Sequence, residues 1–339
     1  MMVIHVLPDA DPATGYPAWT YSICAGNASA LFALLAGVSI AFATGRARVG
    51  RERATATVAA LGARAAVILP YYAAMFVFAI PLVFLPTWGV AVAGVTVVAG
   101  APALTHLLLP HLTEPWGTNA GFGDVVSRPL ALLGELVFTG EFPALTWMAY
   151  VCFGVIIGRL RLSSARTAAR LLIVGGCTAV LAHVASELLL YRYGGLQHIW
   201  SAANTVTADD TMELLSFGGD GTVPATTWWW LATDEPHTGT PIDLLASTGV
   251  AAAVLAVMLL ADHQRRPFAR RLTGLARIPL AAAGTMTLTF YTLHVMFINS
   301  IHDTYAPTTD FVLQTAVVAV LGMAWRASAV CSTKSVVGA

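Results

Sequence analysis

The chain has 339 residues, of which 57% are hydrophobic and 11% charged, and its mean hydropathy is +0.72. Soluble domains carry about a quarter charged residues, so this composition excludes a soluble fold able to cover its own surface. The formal net charge is zero, which leaves no global field for nucleic acid or for an acidic substrate.

The opening MMVIHVLP is apolar but far shorter than the roughly 20 residues of a membrane span. It lacks the basic segment and cleavage site of a signal peptide. It reads as the last two turns of a first helix whose beginning lies outside the sequence. Apolar runs then predict helices over 22–44, 54–69, 70–86, 88–109, 142–159, 168–190, 241–262, 279–301 and 309–327. Backbone groups in lipid must be satisfied within each segment, and the alternation of barrel strands is absent, so these runs are expected to be helical. The expected fold class is therefore all-α. It is a polytopic transmembrane helical bundle of about nine to ten helices, with 1–339 forming a single integral membrane domain in the lipid bilayer.

Arginines orient the bundle. Three clusters, Arg46/Arg48/Arg51/Arg53, Arg159/Arg161/Arg166/Arg170 and Arg265/Arg266/Arg270/Arg271/Arg277, should face the cytoplasm. The acidic or neutral stretches 110–141 and 191–240 should be extracytoplasmic loops. Three crossings within 54–109, broken at Pro70 and Pro86, satisfy the parity. The clusters read first as positive-inside anchors; the sharper reading is that Arg46, Arg48, Arg51 and Arg53 bind the phosphates of an acyl-CoA. Trp228, Trp229 and Trp230 read as an interfacial aromatic belt, with sugar stacking as the alternative. Cys24, Cys152, Cys177 and Cys331 lie in or beside apolar runs without CxxC spacing, so buried packing is expected, with neither a disulfide framework nor a bound metal.

In so apolar a chain, ionisable groups near the membrane are the candidates for chemistry. His5, His237, His294 and His302 are all expected on the outer side and could border one cavity. Around His237, Thr240, Pro241 and Asp243 form a helix-start pattern in which His237 has no part. His294 reads either as a polar link to a neighbouring helix or as a general base near neutral pH. Glu141 reads as a solvated carboxylate before Pro143. No HExxH, Walker loop or GxSxG occurs, against the common soluble enzyme classes.

Three stretches together resemble the bacterial relatives of the heparan-α-glucosaminide N-acetyltransferase catalytic domain, including YeiB-like membrane proteins. The first is MMVIHVLP followed by AWTYSICAGNASALFALLAGVSIAFATG, with His5 at the polar end of the first helix and Trp19, Phe32 and Gly37 after it. The second, FTGEFPALTWMAYVCFGVIIGRL, is similar to a Tyr-Pro-x-x-x-Trp-x-x-Tyr-x-x-x-Gly-x-x-x-Gly-Arg pattern. The third is GTMTLTFYTLHVMF. The resemblance implies transfer of an acyl, typically acetyl, group from cytoplasmic acyl-CoA to an extracytoplasmic sugar or lipid, at a bacterial inner membrane, with a homodimer among the expected assemblies. It also implies a histidine three residues before the loop tryptophan, where this chain has Tyr16. Either another histidine takes that role, with His237 or His5 as base and His294 in support, or the chain is a non-catalytic relative. Trp19, Tyr16, Tyr150 and Glu141 would line the acceptor cavity. A transporter or lipid flippase is the alternative class, in which Pro70, Pro81 and Pro86 would break helices.

Overall fold

The computed structural model describes residues 2–47, 70–112, 122–202, 207–263, 279, 281, 282, 284, 287–298 and 305–337, and every described element is helical or irregular. The first seven helices are α1 (Met2–Val6), α2 (Trp19–Cys24), α3 (Asn27–Ala43), α4 (Pro70–Ala79), α5 (Thr87–Leu108), α6 (Phe122–Ser127) and α7 (Pro129–Gly134). The next seven are α8 (Ala144–Arg159), α9 (Ala165–Glu187), α10 (Gly195–Ser201), α11 (Ala208–Phe217), α12 (Pro241–Asp262), α13 (Thr287–Ile298) and α14 (Pro307–Val337).

Among the described residues, five helical stretches are long and apolar enough to cross a membrane: Trp19–Ala43, Thr87–His111, Ala165–Arg192, Pro241–Asp262 and Pro307–Arg326. A sixth arises if Pro129–Thr139 and Ala144–Arg159, bent by 50° at their junction, count as one span. The protein is an integral, multi-pass membrane protein. The faces that these helices leave open agree: α9 exposes Ile173, Val174, Val180 and Leu181, a stripe suited to lipid rather than water. The helix expected at 54–69 lies outside the described residues. Tyr71–Phe84 is helical but too short for a span of its own.

The chain divides into two compact units, Ala25–Leu259 and Met1–Cys24 with Leu260–Ala339. In the first, α8 is the hub, packed against α3, α5 and α4. Small residues make the closest of these contacts. A β-carbon on Gly154 would overlap the Leu34 carbonyl, one on Gly37 would overlap the Val151 carbonyl, and one on Gly158 would meet Ala41. Apolar side chains gain little by leaving lipid for a helix interface, so close backbone approach supplies the association instead. The Gly-x-x-x-Gly of the sequence is the seam of this pair.

The segments expected as loops are built of helices. Residues 129–139 run through α7 into a π-helical turn at Glu135–Thr139, where buried Glu135 faces Arg128 at 3.4 Å. Residues 195–232 hold α10, α11 and a 3₁₀ turn at Trp228–Ala232 around a small core of Leu190, Ile199, Val223 and Trp230. Trp230 is thus a core residue whose indole N–H donates to Thr226, a correction to the aromatic belt; Trp228 is exposed, and Trp229 stacks on His198. Cys152 is buried and Cys24 half-buried, but Cys177 is exposed, against the expected packing role.

In the second unit, α1 packs against α2, α13 and α14. Phe290, His294 and Asp310 are its buried large or polar side chains among the described residues.

Candidate functional site

In the unit Ala25–Leu259, three irregular stretches stack on one another: the break at 140–143 between α7 and α8, the turn at 218–221, and the turn at 236–240 leading into α12. Gly221 lies so close to the Gly140 carbonyl that a β-carbon would overlap it, and Gly218 approaches the Pro236 carbonyl in the same way. Two backbone bonds tie the turns together, from Gly219 N–H to the Pro236 carbonyl at 3.0 Å and from Gly221 N–H to the His237 carbonyl at 2.7 Å. The start of α12 is fixed locally. The Thr240 hydroxyl accepts from Asp243 N–H, while the Asp243 carboxylate accepts from Gly239 N–H and from the Ser247 hydroxyl. Asp243 is therefore a helix-start residue.

His237 is held here with φ of +57°, a left-handed conformation that costs a residue with a β-carbon on the order of 1 kcal/mol or more. Its ring stacks on Trp147 at 6.0 Å and meets Phe142 edge-on at 5.5 Å, and its Nδ1 is buried without a partner in the protein. Burial pulls the imidazole down to a pKa of about 4, against a smaller opposing pull from Asp220, so it is neutral at pH 7. Tyr150 is buried beside Trp147 at 5.1 Å. Glu141 lies on the break with its side chain exposed, although burial, and then Asp220, raise its carboxyl above the usual carboxylate range.

The other unit gathers His5 and His294, their ring centroids 5.7 Å apart. His294 is buried on α13. Its Nδ1 meets Oε1 of Gln314 on α14, and Nε2 of Gln314 donates to Oδ2 of Asp310 at 2.7 Å. The donors follow from the inventory of the groups. The Gln314 amide nitrogen faces Asp310, to which it donates. Oε1 then faces His294, whose Nδ1 must carry the proton. With the proton on Nδ1, Nε2 of His294 is the ring's acceptor nitrogen, and it is buried with no partner in the protein. This arrangement of acid, amide and imidazole presents a lone pair in a fixed direction, as a general base requires.

Among the residues singled out in the sequence, the structure thus pairs His5 with His294 and places His237, Tyr150 and Glu141 in the other unit. Tyr16 and Trp19 lie in the unit of His5 and are exposed. Arg46 is exposed with its guanidinium 4.4 Å above the Phe42 ring. Arg48, Arg51, Arg53 and His302 lie outside the described residues. The sequence reading misses Gln314 and Asp310, although polar residues one turn apart in an apolar helix are a readable signal. Comparison with family models, with curated proteins and with solved structures gives no match.

Proposed function

We propose that the protein is a membrane-embedded acyltransferase, related to the heparan-α-glucosaminide N-acetyltransferase and YeiB-like proteins, with His294 as its general base. The observation that carries this reading is the Asp310–Gln314–His294 chain, which fixes the tautomer and leaves Nε2 free. In the reaction, Nε2 takes the proton of an acceptor hydroxyl or amine as that oxygen or nitrogen attacks the thioester carbonyl of acyl-CoA. The C–S bond breaks, the acyl group stays on the acceptor, and the CoA thiolate recovers the proton from the imidazolium. His5, whose ring lies beside His294, orients the acceptor. His237 is assigned no proton step, because a group with a pKa of about 4 is a weak base at pH 7.

The topology that goes with this function has about ten crossings, arginine-rich turns inside, and the donor phosphates held by Arg46, Arg48, Arg51 and Arg53 at a bacterial inner membrane. The acceptor is an extracytoplasmic sugar or lipid, and the assembly a homodimer. Purified protein in lipid nanodiscs, supplied with radiolabelled acetyl-CoA and an acceptor panel, should transfer label, and His294→Ala should abolish transfer. Equal turnover in that variant would sink the assignment of the base.

One observation favours a transporter instead. The 50° break between α7 and α8, with its π turn and buried Glu135, is the kind of discontinuous helix that forms solute sites. Solute counterflow in proteoliposomes without acyl-CoA turnover would decide for it.

A further inference from the structure

Residues 122–139 fall in a stretch expected as a loop, yet they form α6, α7 and a π turn. Their outward face is apolar. Val126 is 86% exposed and Leu130 83%, with Val125 and Leu133 exposed beside them. The ionisable side chains of the segment are Asp124, Arg128 and Glu135, and they meet one another. Arg128 Nε donates to Asp124 Oδ1 at 2.9 Å, and Arg128 Nη1 lies 3.4 Å from Glu135 Oε2. The most exposed of the three, Asp124, is 25% exposed. Main-chain bonds carry the helical pattern across each junction: Arg128 N–H donates to the Asp124 carbonyl, Leu132 N–H to that of Arg128, and Gly140 N–H to that of Glu135. A segment that leaves water must satisfy its charges and peptide groups internally, and this segment is built that way.

Helix lengths place this segment relative to the bilayer. α8 counts 16 residues, about 24 Å, and falls short of a hydrocarbon core about 30 Å thick. It packs along α3 and α5, which belong to stretches long enough to cross. Beyond Arg159 the chain carries Arg161 and Arg166, so the shortfall falls at the Ala144 end. The break at 140–143 and the segment beyond it therefore lie at the edge of the hydrocarbon. The π turn packs on α4 and α8, and the helical axis is bent there by 50°, inclined across that edge. Protein interfaces favour aromatic and arginine side chains, whereas this face offers valine and leucine standing out from the surface. We infer that Phe122–Thr139 is an interfacial arm, lying in the boundary of the bilayer with Val126, Leu130 and Leu133 among lipid acyl chains. Its charges, tied to one another, leave that face free to enter the apolar region. The arm stands independently of the acyl-transfer reading.

Photolabelling of the unmodified protein reads this contact directly. In phosphatidylcholine nanodiscs loaded with one chain each, one sample carries a lipid with a diazirine in its acyl chain. A second carries a charged, water-soluble diazirine, and adducts are mapped by peptide mass spectrometry. Two references lie in the same unit: α9 with its apolar stripe of Val180 and Leu181, and α11 with exposed Asp209, Asp210 and Glu213. The ratio of lipid-probe to water-probe adducts on Val126, Leu130 and Leu133 should exceed that on α11 by about five-fold or more, and approach that on α9. Labelling of the arm by the lipid probe should persist in discs that hold two chains. A ratio on the arm equal to that on α11 would place the face in water and overturn the inference. Loss of the arm's lipid adducts in two-chain discs, with those on α9 retained, would assign the face to a second copy and overturn it equally.

Discussion

His294 gives its Nδ1 proton to the side-chain carbonyl of Gln314, so the rotamer of one residue fixes the tautomer of the other. Replacing Gln314 by Leu removes the acceptor and leaves Asp310 buried and alone. Stability should fall by about 1–3 kcal/mol, the cost of an unpaired buried polar group. If His294 is the base, its loss should lower acyl transfer by about 10²–10⁴-fold, and Gln314→Leu should lower it less while altering the pH profile. Chemical unfolding and turnover measured on the same samples separate the two effects.

The seam between α3 and α8 has no room for added atoms. Gly154→Leu would drive a side chain into the Leu34 carbonyl and should destabilise the protein by about 3 kcal/mol or more. A β-carbon on Gly176 of α9 would meet nothing within 4 Å, so Gly176→Ala should be neutral or stabilising by up to about 1 kcal/mol. Thermal unfolding in detergent should rank the pair in that order.

The left-handed backbone at His237 predicts an unusual order of substitutions. Asparagine tolerates this conformation and a β-branched residue does not. His237→Val should be less stable than His237→Asn by about 1–2 kcal/mol, although valine is the better match to an apolar site. Equal melting temperatures would argue that the turn relaxes.

Two groups on the turn before α12 oppose each other as pH changes. Burial, then Asp234, Asp243 and Glu187, raise Glu235 from 4.5 to about 8, while burial lowers His237 from 6.5 to about 4. Between pH 4.5 and 8 the folded state holds a proton on Glu235 that the unfolded state releases, so this contribution to stability falls as pH rises. Between pH 4 and 6.5 the unfolded state binds a proton on His237 that the folded state refuses, so this contribution falls as pH drops. Of these two groups, each offsets the other from pH 4.5 to 6.5, and only Glu235 changes its contribution from 6.5 to 8. Stability should decline over that upper window, and Glu235→Gln should flatten the decline. Unfolding curves at stepped pH would show this.

The long spans were legible because apolar length alone specifies them: 88–109, 168–190 and 241–262 fall within a few residues of α5, α9 and α12. Pro129–Thr139 was not, because it is short and carries Glu135, whose partner Arg128 becomes evident only when the helix is built. The helices at 195–201 and 208–217 were hidden by a polar composition that reads as loop, and their core depends on Trp230 meeting residues from Leu190 to Val223. At the candidate site the histidines were visible as lone polar groups in apolar runs. Gln314 was visible in the same way, one turn from Asp310, but its role was not, since that comes from a residue 20 positions earlier on another helix.

Because Gly37, Gly154 and Gly158 bring α3 and α8 together main chain to main chain, the two helices have no side-chain cushion over which to slide. Whatever rearrangement the unit undergoes during a working cycle must carry them as a single rod. The torsional freedom then falls to the corner at Gly140–Pro143, where Phe142 touches Tyr71, Trp147 and His237 at once. A shift of that one aromatic ring would be felt by all three neighbours together, which makes the corner the natural pivot of this unit.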